Sequence, residues 1–523
     1  MSIETKQVLW VDDEIDLLRA HIIFLGERGY EVMQASNGED AISLVRQRPF
    51  DIVLLDEMMA GRDGLSTLAE IKSIRPNVPI VMITKSEEEQ LMDAAIGQRI
   101  DDYLTKPVNP SQILSACKKL LDSKRILEDR APQEYAADAA RIRSMLAGPL
   151  HWLDWIDIHV RLSEWDLEVE RFEDPALRQM HADQRRACNV EFGKYVEEAY
   201  PRWLAEDDPP ILSVDVIAEH VFPLVASKTP VFFAVIDCLR LDHWLEIEPL
   251  LGDFFEISRD FYYSILPSAT PYARNALFSG LFPKDIAEQY PQYWSPSGDD
   301  AAQDELSRNR YEHQLLDEQL GKMGIRFDQG TRYVKVLDIA EGRDLVRRIG
   351  SFESSPLSAL VFNFIDILAH GRSESEILQE IAPNDAAFRS LTVSWFAHST
   401  LFEVLKRISD MDAVVVLTSD HGSILGTRGA PIRGDRSTTS NLRYKFGRNL
   451  KCDPRQAVFI GDPGEYMLPP VGLASGVIIA KEDYYFVYTP KFAEYQRQYR
   501  NSFQHGGISL EEMILPIVTM RPR

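Results

Sequence analysis

A carboxylate and an imidazole stand side by side at Asp420-His421, separated only by Thr418-Ser419 from the run of residues 414–417. That run is apolar, rich in β-branched residues and too short for a helix, so it reads as a buried strand. Two such polar groups at the tip of a buried strand are costly unless something binds them, and Gly422 lets the backbone turn there freely. Ligands of open α/β sheets bind beyond the carboxyl ends of the strands. Asp420 and His421 are therefore expected as metal ligands at the end of a central strand. Three other stretches add to them. PVFFAVID closes on Asp237, SALVFNFID closes on Asp366 with His370 four residues on, and His505-Gly506-Gly507 precedes a final apolar segment. Three Asp and three His, with no Cys among them, are a donor set that suits zinc and, less strongly, manganese.

A second group lies near the N-terminus. Asp12, Asp13, Asp56, Thr84 and Lys106 sit at the carboxyl ends of the short apolar runs QVLWVDD, FDIVLLDEM, PIVMITKS and DDYLTKP. A carboxylate nucleophile among other carboxylates needs a hard cation to offset their repulsion, and Mg²⁺ takes oxygen ligands. A lysine adds charge stabilisation as a phosphoryl group moves.

The elements that must position these residues follow from periodicity. In residues 1–123, short strand-like runs alternate with amphipathic helical patterns such as DAISLVRQR, which predicts a doubly wound βα sheet. This segment resembles the receiver domain of two-component response regulators. The resemblance implies that Asp56 accepts a phosphoryl group, that Asp12 and Asp13 hold Mg²⁺ with Asp56, and that Thr84 and Lys106 contact the phosphoryl oxygens. It also implies a cis bond between Lys106 and Pro107, and Tyr103 as the aromatic residue that turns inward on activation. One departure is Ala60, where the family usually has Pro. It concerns loop stiffness and leaves the chemistry in place.

Residues 124–207 have little strand character. Trp155, Ile158, Leu162, Trp165 and Val169 form an apolar stripe at helical spacing, and Cys188, Phe192, Tyr195 and Val196 form another. Three or more helices packed as a small connector bundle are expected. The acidic runs EWDLEVERFED and AEDDPP, with no basic recognition helix, argue against the competing reading, a DNA-reading helix-turn-helix, and for a bundle that relays the receiver's state. Glu206-Asp207-Asp208-Pro209-Pro210 marks the next boundary.

In residues 208–523, strands ending in the metal-ligand candidates alternate with helical patterns, as in an α/β sheet covered on both faces. The order and types of these residues resemble the alkaline phosphatase superfamily, and more narrowly its PglZ branch. The resemblance implies that Asp366, His370 and His505 hold one metal and that Asp237, Asp420 and His421 hold the other. It also places a nucleophile at a helix start, where PSATPYARNALFSG offers Thr270 as N-cap with Pro271 at the first helical position. A helix N-terminus there also favours a phosphate. Two divalent ions against three Asp ligands leave a site near +1, attractive to an anion. Between residues 428 and 451, Arg428, Arg433, Arg436, Arg443, Lys445, Arg448 and Lys451 face a single acid, Asp435. This Gly-rich stretch is expected to be a basic, mobile loop, with Arg428, Arg433, Arg436 and Arg443 binding a substrate that carries more than one phosphate.

At 523 residues the chain is expected to form about three or four domains, and its net charge of −24 argues against a general nucleic-acid-binding surface. Four scattered cysteines fit reduced thiols. No signal-peptide pattern and no run of the roughly 20 apolar residues needed to span a bilayer occur, so a cytoplasmic location without a transmembrane segment is expected. The whole arrangement is an α/β multidomain protein: a doubly wound receiver, a helical bundle connector and an alkaline-phosphatase-like α/β domain. It resembles the PorX-type response regulators linked to type IX secretion. That implies a sensor histidine kinase as partner, a homodimer on phosphorylation, two Zn²⁺ in the C-terminal domain and Mg²⁺ in the receiver. It further implies hydrolysis of phosphodiesters, including cyclic or linear oligonucleotides. The alternatives are a signalling adaptor that binds a sigma factor or a secretion-motor protein, and a phosphomonoesterase or mutase with the same metals.

Overall fold

The computed structural model describes residues 5–59, 61–75, 78–84, 100–172, 174–205, 208–294, 309–325, 327, 330–435, 439, 441–470, 476–488 and 492–523, with the side chains of 122–131, 373–374 and 492–494 left aside. Ala60, Glu206, Asp207 and Arg436 lie outside these residues. The chain forms two compact units, Met1–Asp138 and Ala139–Arg523.

The first unit is a five-stranded parallel sheet. Strands β1 (Lys6–Val11), β2 (Tyr30–Ala35), β3 (Ile52–Asp56), β4 (Ile80–Thr84) and β5 (Asp102–Thr105) lie in the order β2-β1-β3-β4-β5. Side chains alternate between the two faces of each strand. Leu9, Val11, Val53 and Leu55 pack on one face with helices α2 (Gly38–Gln47) and α3 (Gly64–Ile74). Val8, Trp10, Ile52 and Leu54 pack on the other with α1 (Arg19–Gly26) and the start of α4 (Pro110–Leu146). Helix α4 crosses the division between the units.

The second unit is built on a six-stranded mixed sheet. Its strands are β6 (Val231–Ile236), β7 (Phe255–Tyr263), β8 (Arg332–Val336), β9 (Leu357–Phe362), β10 (Val414–Thr418) and the C-terminal Ile514–Pro522. The C-terminal strand lies between β7 and β10, antiparallel to both, and the order continues β10-β6-β9-β8 in parallel. Strand β6 is buried on both faces, as its unbroken apolar run requires. Phe232, Ala234 and Ile236 enter one core, and Val231, Phe233 and Val235 enter the other.

From Ala139 on, the helical segment expected as a connector belongs to this second unit. Helix α5 (Trp152–Arg171) opens on a His151 capping box, and α6 (Pro175–Leu204) opens on Asp174. Trp155, Ile158 and Leu162 of α5 and Cys188, Phe192 and Val196 of α6 share one core with Tyr263, Tyr272 and Ile514 of the sheet region. The apolar stripe is plain core. Among the described residues no helix is long and apolar enough to cross a membrane.

The stretch expected as a mobile basic loop carries strands among its described residues. Strand β11 (Ile424–Gly426) pairs with Ser502–Gln504, and β12 (Arg428–Ile432) pairs with Tyr484–Tyr488. Strand β13 (Tyr444–Gly447) forms a three-stranded sheet with Ala457–Ile460 and Gly476–Ala480.

Candidate active site

Three loops beyond the carboxyl ends of β6, β9 and β10 converge with the segment around His505. Asp237 directly follows β6, and Asp420-His421 follow β10 by one residue; all three are fully buried. Their ligand atoms fit within 4.8 Å of one another, as do those of Asp366, His421 and His505. His370 joins the second set: its Nε2 lies 3.4 Å from Asp366 Oδ1 and 3.1 Å from His505 Nε2. All six expected residues therefore come together. His421 stands between the two groups and not in one of them, with its ring stacked on His505 at 4.3 Å between centroids.

Asp366 is placed differently from the expectation. Strand β9 ends at Phe362, and Asp366 and His370 ride on helix α7 (Phe364–Glu374). Their spacing of four puts both side chains on one helical face. The uninterrupted apolar run VFNFI concealed the change from strand to helix.

Thr270 is the first residue of the helix Thr270–Ser279, whose N-cap is Ala269; Thr270 is not the cap. Its hydroxyl points into the cluster, 2.9 Å from His421 Nε2. His421 Nδ1 lies 3.0 Å from the carbonyl of Gly422, which can only accept. That assigns the ring proton to Nδ1 and leaves the Nε2 lone pair facing Thr270 and the carboxylates.

The electrostatics fit cations. Asp237 Oδ1 and Asp420 Oδ2 are buried with no hydrogen-bond partner. Burial, with Asp237 beside it, pushes the Asp420 carboxyl up to about 6. Burial also raises Asp237, but the Arg274 charge prevails and holds it below its ordinary value. Burial and the neighbouring His421 and His370 keep His505 well below the usual imidazole range, hence neutral and able to donate a lone pair. Buried carboxylate oxygens without donors, alongside the lone pair of His505, are the groups that divalent cations satisfy.

Arg274 is a site residue that the sequence reading missed. It is buried, one turn after Thr270 on the same helix, with its guanidinium 2.6 Å from Asp237 Oδ2, 2.7 Å from Glu312 Oε1 and 3.8 Å from Asp420 Oδ2. The spacing of four from Thr270 was the only available signal, since neither Asp237 nor Glu312 is near it in sequence.

The arginines expected to bind substrate are mostly committed elsewhere. Arg443 is fully buried and bidentate to Glu512, with Nε at 3.1 Å and NH2 at 2.5 Å. Arg428 pairs with Glu482 and Asp483. Both are corrected from substrate ligands to internal ion pairs: their acidic partners arrive from 54 or more residues away and escaped a local charge count. Arg433 is exposed and bridged to Lys451 through the backbone.

In the first unit, Asp12, Asp13 and Asp56 can offer ligand atoms within 4.8 Å of one another. Lys106 Nζ lies 2.9 Å from Asp12 and 2.8 Å from Asp56. Burial raises the Asp56 carboxyl above its ordinary value despite Lys106. Thr84 is buried at the end of β4, Tyr103 is 42% exposed, and the Lys106–Pro107 bond is cis.

Three family models match successive segments of the chain. The response regulator receiver domain family matches residues 8–118, the PorX response regulator linker domain 125–204, and the BREX system PglZ alkaline phosphatase-like domain 216–520. The chain is similar, at 33% identity over 132 residues, to the transcriptional regulatory protein ZraR of Escherichia coli O157:H7, covering 25% of this chain and 30% of that protein. It is 35% identical over 140 residues to the transcriptional regulatory protein BaeR of Escherichia coli O6:H1, covering 26% of this chain and 56% of that protein. The chain thus spans about a third to a half of the length of these relatives. A CheY-like receiver domain protein of Methanospirillum hungatei is 27% identical, with a TM-score of 0.22, over 23% of this chain and 96% of its own.

Proposed function

The chain belongs to the PglZ alkaline phosphatase-like family, and from that premise we propose that it is a PorX-like response regulator whose output is metal-dependent hydrolysis of phosphodiesters at Thr270. The observation that carries this reading is the Thr270 hydroxyl, 2.9 Å from His421 Nε2 at a helix N-terminus, inside a ring of six metal-donor side chains. Asp237, Asp420, His421, Asp366, His370 and His505 would hold two cations, zinc by their oxygen and nitrogen donors. When bound, these ions supply electrostatic stabilisation to the phosphoryl and leaving oxygens.

The chain's own residues do the rest. The helix start at Thr270 turns the positive end of its dipole toward a phosphoryl oxygen. Thr270 Oγ1 forms the new P–O bond while the ester oxygen departs with a proton. Water then cleaves the phosphothreonine and restores the hydroxyl. Arg274 occupies Asp237 Oδ2, so that Oδ1 is the oxygen left to face the site.

The diester preference rests on the family resemblance and on Arg433, the one exposed arginine among the described members of the original four. Cyclic or linear oligonucleotides are the proposed substrates. Phosphorylation of Asp56 by a sensor histidine kinase, with Mg²⁺ held by Asp12, Asp13 and Asp56, is the proposed input. Control of type IX secretion from the cytoplasm is the proposed role, supported by the PorX linker match. The test is turnover of bis(p-nitrophenyl) phosphate against p-nitrophenyl phosphate by zinc-loaded protein. Faster turnover of the diester is expected; a tenfold preference for the monoester would overturn the diester assignment.

A further inference from the structure

The short turn around Ser509–Met513 touches both metal-ligand loops on one side and the linker helices on the other. On the site side, the Gly422 N–H, next to His421, donates to the Glu512 carbonyl at 3.1 Å. A Cβ at Gly422 would collide with the Glu511 carbonyl oxygen, so the two backbones are in direct contact. Glu512 Oε1 accepts the Gly507 N–H at 2.8 Å, two residues after His505. Met513 O accepts the Ser264 N–H at 2.7 Å, and Ser264 Oγ donates to the Asp420 carbonyl at 2.8 Å.

On the linker side, Asn189 of α6 grips the turn from both directions. Its Nδ2 donates to Glu511 Oε2 at 3.0 Å, and its Oδ1 accepts the Leu510 N–H at 2.8 Å. Arg185, one turn earlier on α6, reaches Glu511 Oε1 at 2.8 Å and pairs with Asp166 of α5. Glu511 is nine-tenths buried, so these contacts are shielded from water and act at short range. A shift of α6 cannot leave Glu511 in place without breaking a buried charge pair, and a shift of Glu511 moves Gly422.

We propose that Glu511 is a positioning residue through which linker helix α6 sets the geometry of the metal ligands His421 and His505. This inference rests on the reading of the cluster as a metal site. The surroundings of a ligand set its orientation, and losing such a partner typically weakens metal binding about 10- to 100-fold.

The experiment uses the full chain and Co²⁺ as the probe, read by its visible absorption and by competition with a chelator. Glu511→Gln and Asn189→Ala are each expected to change the intensity of the Co²⁺ bands and to weaken Co²⁺ retention about tenfold. The double variant is expected to show little more than either single change, because both act on one contact. If Glu511→Gln fails to fold by circular dichroism, Asn189→Ala carries the same test. Co²⁺ spectra and retention unchanged in folded variants, with normal uptake by the wild type, would overturn this inference alone. A wild-type chain that takes up no Co²⁺ would overturn the metal reading and this inference with it.

Discussion

The Thr270 hydroxyl has its hydrogen bond to His421 Nε2 in a buried pocket, and nothing in ordinary helix capping requires that contact. Thr270→Ala is expected to lower turnover about 10²-fold or more while metal content, measured by elemental analysis, stays at the wild-type level. Turnover that survives with metals bound would sink Thr270 as nucleophile. Arg274 invites a different test, because it touches a ligand and not the phosphoryl group. Arg274→Met leaves Asp237 and Glu312 as neighbouring buried carboxylates without their shared cation, and should weaken metal retention about 10- to 100-fold in a chelator competition. Retention equal to the wild type would show that Asp237 needs no help. At this scale the sequence was informative wherever a polar residue ended an apolar run, as at Asp237 and Asp420. It was silent at Arg274, whose partners lie 37 and 38 residues away.

Elements decide what a charged residue can do, and the basic stretch shows this. Seven cations within 24 residues looked like a surface for phosphates, yet β12 and β13 turn Arg428 and Arg443 toward acids from distant segments. A tally along the chain counts neighbours in sequence, whereas Coulomb energy depends on neighbours in space. Asp366 shows the same limit in another form, since an apolar run of mixed length cannot announce where a strand gives way to a helix. Lys445 of β13 offers a test of this packing. Its side chain is buried with Nζ 2.9 Å from the Thr439 carbonyl and 5.2 Å from the Tyr488 ring centroid. Burial lowers its ammonium from 10.5 to about 7. Between those values the unfolded chain binds a proton that the folded chain does not, so this group makes stability rise with pH across that window. The cost of charging it in the fold is complete below about 7. Lys445→Met is expected to remove a slope of up to about 1.4 kcal/mol per pH unit from denaturant-derived stability between pH 7 and 10. Identical slopes in the two proteins would show that Lys445 stays charged in the fold.

At the scale of the whole molecule the dominant fact is a net charge of −24. Two copies brought together repel over a Debye length of about 8 Å at physiological salt, so self-association needs a specific surface, and the expectation is that a phosphoryl group on Asp56 creates one. The first unit holds the parts for that. Asp56 and Lys106 are already in contact, and Thr84 ends β4, which lies between the strand of Asp56 and the strand of Tyr103. The Tyr103 ring is 42% exposed, available to turn inward when Thr84 engages a phosphoryl oxygen. A change confined to β4 and β5 alters one face of the unit, and one altered face pairs most simply with its own copy about a two-fold axis. Beryllofluoride with Mg²⁺ should therefore convert the protein to a dimer by light scattering, and Asp56→Ala should not respond. The charge adds a sign that a generic contact would not share. Raising salt from 50 to 300 mM should strengthen the beryllofluoride-induced dimer, because screening relieves repulsion between two acidic chains. A dimer that weakens with salt would point to an interface held by ion pairs, and a mass unchanged by beryllofluoride over a wide concentration range would rule out phosphorylation-driven pairing.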